Sequence, residues 1–274
     1  MNNKLHRPKE FPPPVALTIA ASDPTSGAGI QADLRTFTAF GVHGLSVITA
    51  ITSQNTITVE DVVPLNTITI RNQFDTLNGD IPISFAKTGV ICNSSTVLAV
   101  ADMLRDSGIR VVVDTPFKSG TGRELMEVEG VQMLIKKLLP MAFLLTPNIP
   151  EAERIASLKI NCRQDMENAA KKIRELGVSA VLLKGGHLEG DESPDYFISD
   201  SEECWFESPR LIRKNIHGTG CTLSAAITAN LALGFDLHSA IKRAKDFLTN
   251  AINTSFRLGD GALILNTEQL LKPE

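Results

Sequence analysis

The stretch KNIHGTGCTLSAAITA, residues 214–229, sets two glycines, a threonine and a cysteine directly ahead of a run with helical character. The start of a helix leaves its first amides unpaired and carries the positive end of the helix dipole. Gly218, Thr219, Gly220 and Cys221 are therefore suited to hold a developing phosphate or alkoxide charge. Cys221 itself is open to three readings: a nucleophile, a metal ligand or a small core residue. A second turn, Ser22-Asp23-Pro24-Thr25-Ser26-Gly27-Ala28-Gly29, has glycines at Gly27 and Gly29 that permit close backbone approach to a ligand. Polar or glycine-rich turns recur at Lys87-Thr88-Gly89, at Asp114, at Thr146-Pro147-Asn148-Ile149-Pro150-Glu151 and at Lys184-Gly185-Gly186-His187. Lys184 ends an apolar run, where an unpaired ammonium is costly, so it calls for either a phosphate or an acidic neighbour. Pro147, Pro150 and Glu151 also suit a plain helix start with a favourable first-turn charge. The chain contains neither G-x-x-x-x-G-K-[ST] nor G-x-G-x-x-G, so any kinase chemistry belongs to another class of phosphate site.

Each of these turns follows a short β-rich run: VALTIAA (15–21), LSVITAIT (45–52), SFAKTGVI (84–91), IRVVVD (109–114), AFLLT (142–146) and VSAVLLK (178–184). Several are apolar on both faces, as parallel strands between helix layers are. Residues 95–105, 124–138 and 166–176 carry helical spacing, and AIKRAKDFLTNAI puts Ile241, Ala244, Phe247, Leu248 and Ala251 on one face. The expected fold is an α/β/α three-layer sandwich with a mostly parallel sheet, whose ligands sit beyond the carboxyl ends of the strands. TITVEDVVPL (56–65) and DYFISDSEECWFESP (195–209) read as a small β flap over one sheet edge.

Length and a 43% hydrophobic content fit a single domain over 15–274, preceded by a loose tail over 1–14. A net charge of −4 gives no reason to expect a nucleic-acid partner. No run approaches the ~20 apolar residues of a membrane span. Cys92, Cys162, Cys204 and Cys221 form no C-x-x-C pair, which argues against zinc or disulfide frameworks and fits a reducing cytoplasm.

ALTIAASDPTSGAGIQADLRTFTAFGVHGLSVITAITSQNT (16–56), AKTG, TPNIPEAE, VLLKGGH and HGTGCTLSAAI together resemble the hydroxymethylpyrimidine/phosphomethylpyrimidine kinases, thiamine-biosynthesis members of the ribokinase superfamily. The resemblance runs from about residue 15 to the final helix. It implies ATP- and Mg²⁺-dependent phosphorylation of 4-amino-5-hydroxymethyl-2-methylpyrimidine to its monophosphate and then to its diphosphate, and it leaves a monovalent-cation requirement open. Cys221 would stand as the base for the hydroxyl, its pKa lowered by the helix start. Lys184 would neutralise phosphate charge, and Asn148, Glu151, Asp114 and Thr146 would serve ATP, with Glu151 and Asp114 near the metal through water. Asp23 and Gln54, with Gly27 and Gly29, would meet the pyrimidine. His217 is assigned only local hydrogen bonding, and His43, ahead of Gly44 at a turn, is a further residue that could reach the pocket.

Family members are commonly homodimers, and some accept pyridoxal or pyridoxine. A non-catalytic pyrimidine-binding regulator is a third alternative, which Cys221, Lys184 and Glu151 argue against. Ala21 and Ser26 stand where the family usually has glycine, and the 115–122 loop departs from the family's Pro-Val-Met and is placed to fold over the site. The sequence ends without a fused thiamine-phosphate synthase domain, so a stand-alone kinase is expected.

Overall fold

A computed structural model describes residues 12–188, 192–208 and 215–268, so residues 1–11 of the expected tail lie outside the described residues. The chain runs β1 (Val15–Ser22), α1 (Gly29–Ala39), β2 (His43–Gln54), β3 (Val59–Pro64), α2 (Thr67–Asn78), β4 (Phe85–Thr88), α3 (Ser94–Arg105) and β5 (Arg110–Val113). It continues through α4 (Val128–Met133), β6 (Ala142–Leu145), α5 (Ile149–Ala156), α6 (Arg163–Arg174), β7 (Val181–Lys184), β8 (Asp195–Ile198) and β9 (Glu203–Phe206). It closes with β10 (Ile216–His217), α7 (Thr219–Ala232), α8 (Leu237–Asn253) and β11 (Leu263–Ile264).

Nine strands form one sheet in the order β3-β2-β1-β4-β5-β6-β7-β8-β9. The six from β2 to β7 in that order are parallel to their neighbours. Alternation along them explains the doubly apolar runs. Val111, Val113, Val181 and Leu183 pack with Val97, Val100, Ala152 and Ile173 on one side. Val112, Leu144 and Leu182 pack with Leu223, Ile227, Ile241 and Ala244 on the other. The sandwich expected from the sequence is therefore the fold, with α1, α7 and α8 forming one helix layer.

Three details differ. The two stretches read as one flap extend the sheet at opposite edges: β3 pairs antiparallel with β2, and β8–β9 continue antiparallel from β7. Polar alternation reports an exposed face, which an edge strand has as much as a flap does. Helix α2 has no counterpart in the sequence reading, because its Thr- and Ile-rich start looks strand-like; the Asn66 side chain caps it by accepting from Thr69 N at 2.7 Å, and it buries only Ile70 and Phe74. The helix expected over 124–138 begins at Val128, passes into a π-helical turn over Leu134–Leu138 and finishes in a 3-10 turn over Leu139–Met141. No helix of the described residues is long and apolar enough to cross a membrane.

Candidate active site

A cavity of 480 Å³ opens where the parallel strands end. Of the residues singled out from the sequence, Asp23, Gly29, Gln54, Asp114, Asn148, Glu151, Lys184, Gly218, Thr219, Gly220 and Cys221 line it. Gly27 and Thr146 do not. Thr146 lies behind the wall, its hydroxyl 3.3 Å from Asp114 Oδ1, and Gly27 packs against the neighbouring turn. His43 begins β2 at the far end of that strand and is exposed, so it takes no part.

The turn ahead of α7 is held open by its glycines. Gly218 has φ +82°, and a Cβ there would lie 1.8 Å from Gly27 O, so the two glycine turns are in backbone contact. The first α7 amide with an acceptor in the helix is Thr222 N, on Gly218 O at 2.9 Å. Those of Thr219, Gly220 and Cys221 come before it at the positive end of the dipole. Lys184 Nζ lies 3.3 Å from the point a Gly220 Cβ would occupy, so its ammonium sits on this turn. It also meets Asp114 Oδ1 at 3.4 Å. Burial works against that ammonium, and Asp114 and then Glu151 hold it above the usual lysine range.

Cys221 departs from the expectation of a lowered pKa. Burial pushes its thiol up to about 12; Lys87 opposes the shift, Asp114 and Asp33 add to it, and the Gly29 N–H opposes it. A helix dipole contributes about 1–2 kcal/mol even in favourable geometry, too little against burial beside two carboxylates.

Beneath the turn lies an ion pair the sequence reading did not find. Lys87 Nζ meets both Asp33 carboxylate oxygens at 2.9 and 3.0 Å, Thr18 Oγ1 donates to Asp33 Oδ2 at 2.6 Å, and both charged side chains are fully buried. Burial alone would lower the Lys87 ammonium, but Asp33 beside it holds it well above the normal lysine range.

Asn148 and Glu151 form a reciprocal capping box on α5: Asn148 Oδ1 accepts from Glu151 N at 2.9 Å, and Glu151 Oε2 accepts from Asn148 N at 2.8 Å. Thr115 Oγ1 donates to the same Oε2 at 3.3 Å. Burial, opposed by Lys184 and reinforced by Asp114, pushes the Glu151 carboxyl up to about 7.

At the 22–29 turn, Asp23 Oδ1 accepts from Thr25 N and Thr25 Oγ1, both at 2.8 Å, and Oδ2 accepts from Ala28 N at 2.8 Å and faces His217 Nε2 at 3.1 Å. Burial raises this carboxyl, and the bonds from His217, Thr25 and Ala28 outweigh that and hold it below the usual range. A carboxylate offers about four lone-pair sites, so Asp23 is committed to shaping the turn and orienting His217 rather than to a ring. His217 Nε2 also lies 3.3 Å from the Gln54 carboxamide. The Gln54 atom at that distance is the amide nitrogen Nε2, which donates to the ring nitrogen only in the tautomer that leaves it unprotonated, so the roles at this contact follow the His217 tautomer.

Ser26 adopts φ 60°, the left-handed region, at a position where glycine is usual in the resembled family. That region costs a β-carbon residue roughly 1–2 kcal/mol, partly offset in glycine by its greater unfolded-chain entropy. Ser26→Gly should therefore stabilise the protein by about 0.5–1 kcal/mol, raising the thermal midpoint by about 2 °C. A lower midpoint would rule out strain at this turn.

The 115–122 loop forms a small hairpin against the cavity, with Lys118 bridged to Glu124 and Leu125 N donating to Phe117 O at 2.8 Å. Phe117, Lys118, Ser119 and Gly120 line the cavity. The Arg123 guanidinium donates to Val59 O at 2.8 Å and to Glu60 O, bolting the hairpin to β3.

The chain matches the family described as phosphomethylpyrimidine kinase over residues 23–266. It is 40% identical to the hydroxymethylpyrimidine/phosphomethylpyrimidine kinase of Aquifex aeolicus, across 92% of this chain and 99% of that protein. It is 42% identical to the thiamine biosynthesis bifunctional protein ThiED of Geobacter sulfurreducens, across 93% of this chain but only 52% of that longer protein. The ADP complex of Bacillus subtilis pyridoxal kinase superposes with a TM-score of 0.87 at 35% identity, across 94% of this chain and 98% of that one. With a ribokinase-like sandwich, a glycine-opened helix start and this extent of likeness, the chain belongs to the phosphomethylpyrimidine kinase family.

Proposed function

We propose that the protein transfers phosphate from ATP to the hydroxymethyl group of 4-amino-5-hydroxymethyl-2-methylpyrimidine, and then to the resulting monophosphate, in thiamine biosynthesis. The observation that carries this reading is the meeting, in one cavity, of Cys221 and the α7 amides with Lys184 on one hand and the His217-oriented Gln54 carboxamide on the other. Gln54 donates to a ring nitrogen of the pyrimidine. In the first step the hydroxyl oxygen attacks the γ-phosphorus, its proton passes to the thiolate form of Cys221 to give the thiol, and the bond to ADP breaks as ADP departs. Lys184 and the amides of Thr219, Gly220 and Cys221 neutralise charge on the transferred group. The Phe117–Leu125 hairpin keeps water from the γ-phosphate.

Asp114 and Glu151 suit a hydrated Mg²⁺, because these two carboxylates line the same cavity wall and a few carboxylates with retained water are what this ion takes. When bound, Mg²⁺ supplies charge neutralisation to the ATP phosphates. A cytoplasmic homodimer belongs to the same proposal. Its support is that all four cysteines are free thiols and that Ile51 and Val63, register partners on the β2–β3 edge, are 43% and 51% exposed. A sedimentation mass of one chain would sink the dimer.

The likeness to a pyridoxal kinase favours a second reading, phosphorylation of pyridoxal. Incubation with Mg·ATP and, separately, hydroxymethylpyrimidine, its monophosphate and pyridoxal, followed by mass-resolved product analysis, decides between them. Conversion of hydroxymethylpyrimidine through its monophosphate to the diphosphate, and of the supplied monophosphate to the diphosphate, is the expected outcome. Conversion of pyridoxal alone, or of nothing, overturns the proposal.

A further inference from the structure

Outside the cavity, three side chains with metal-binding atoms converge where the β8–β9 hairpin meets α8. Glu202 Oε1 lies 2.6 Å from His238 Nδ1, and Cys204 Sγ lies 3.9 Å from the same nitrogen. All three donor atoms fall within 4.8 Å of one another. None of these residues lines the cavity.

The arrangement follows from the fold. Residues two apart on a strand share a face, so Cys204 and Phe206 on β9 both address α8, and Glu202 joins them from the turn that precedes the strand. Phe206 packs on the His238 ring with centroids 5.0 Å apart. Cys204 packs against the core that α8 helps build. The Glu202 backbone is tied into its turn by N–H donation to Ser199 Oγ at 3.1 Å, and the start of α8 is fixed by Asp236, which accepts from Ser239 N at 2.9 Å. The donors are thus carried on ordered elements rather than on independent loops.

We propose that Glu202, Cys204 and His238 bind a divalent zinc-class cation that clips the β8–β9 hairpin to α8. One sulfur, one imidazole nitrogen and one carboxylate oxygen form a set that favours zinc over the hard cations magnesium and calcium. Zinc-to-ligand bonds of about 2.0–2.3 Å in a tetrahedron put donor atoms roughly 3.3–3.7 Å apart. The observed separations of 2.6 and 3.9 Å lie on either side of that, within reach of small rotamer adjustments. Three protein ligands leave the fourth position to water, which the half-exposed His238 and Glu202 admit. Without a cation, burial and the Glu202 carboxylate push the thiol up to about 11; a bound cation offsets that cost by stabilising the thiolate.

The test uses the full chain stripped with a chelator and titrated first with cobalt(II), then with zinc(II). One equivalent of cobalt should produce a thiolate-to-cobalt charge-transfer band that zinc bleaches, and zinc should raise the thermal midpoint. Cys204→Ser should abolish the band. His238→Gln, at a half-exposed position that spares the core, should weaken zinc binding at least about tenfold, the scale on which even outer-shell partners of a metal act. Cys162→Ser should change nothing. A wild-type protein with no band would mean that Glu202 and His238 are joined only by their hydrogen bond, a band that survives Cys204→Ser would place cobalt on another cysteine, and either result overturns the proposal.

Discussion

Cys221→Ala should lower phosphorylation of the hydroxymethylpyrimidine by about 10²–10⁴-fold, the usual contribution of a positioned base, while leaving phosphorylation of the monophosphate much closer to wild type. The asymmetry comes from the nucleophiles. A hydroxyl must lose a proton as it attacks, whereas a phosphate monoester with a second pKa near 6 is already mostly anionic at neutral pH. The pH dependence carries the same signature. Because the thiol is pushed up to about 12, its thiolate fraction, and with it the first-step rate, should rise about tenfold per pH unit above neutrality. The variant should lose that slope. Steady-state kinetics with each substrate across pH provides the check. Equal losses in both steps would make Cys221 a structural residue of the turn, and full retention would remove it from the chemistry altogether.

Asp33→Asn should cost about 3–5 kcal/mol of stability, because it leaves the Lys87 ammonium fully buried without its counter-charge. At about 2–4 °C per kcal/mol for a chain approaching this size, the thermal midpoint should fall by roughly 10 °C. Replacing both partners, as Asp33→Leu with Lys87→Met, should recover much of the loss, since apolar pairs of similar volume often match a buried ion pair. Denaturant unfolding of the three variants distinguishes these cases. A single-variant cost below about 1 kcal/mol would mean that water reaches the pair.

The turns that build the cavity were legible because strand ends announce themselves: an apolar run stops, and glycine, proline or a charged residue follows. Lys184 and the Asn148–Glu151 box were found that way, and the structure shows the plain reading of each, as ion pair and as capping box. Asp33 was not legible. It sits inside α1, and its partner is 54 residues away, so only the packing of α1 on the sheet brings them together. The sign of the Cys221 shift was missed for a related reason. The helix start is a local feature visible in Gly218–Cys221, whereas the burial that raises the thiol, and the Asp114 and Asp33 carboxylates that add to it, come from the packing of distant parts of the chain. His217 was undervalued because its two partners, Asp23 and Gln54, come from the turn after β1 and the end of β2, far from it in the chain. The opposite-edge placement of β3 and β8–β9 was hidden because alternation fixes which face of a strand is wet and says nothing of which strand it pairs with.

Arg123 grips the edge strand by main-chain oxygens, those of Val59 and Glu60. Every residue has a carbonyl, so β3 side chains other than Asp61, whose carboxylate lies 4.0 Å from the same guanidinium, are free to change over evolution without loosening the hairpin, provided the strand keeps its path. The edge can diverge among relatives, to suit different neighbours, while the door of the cavity stays hung on the same hinge.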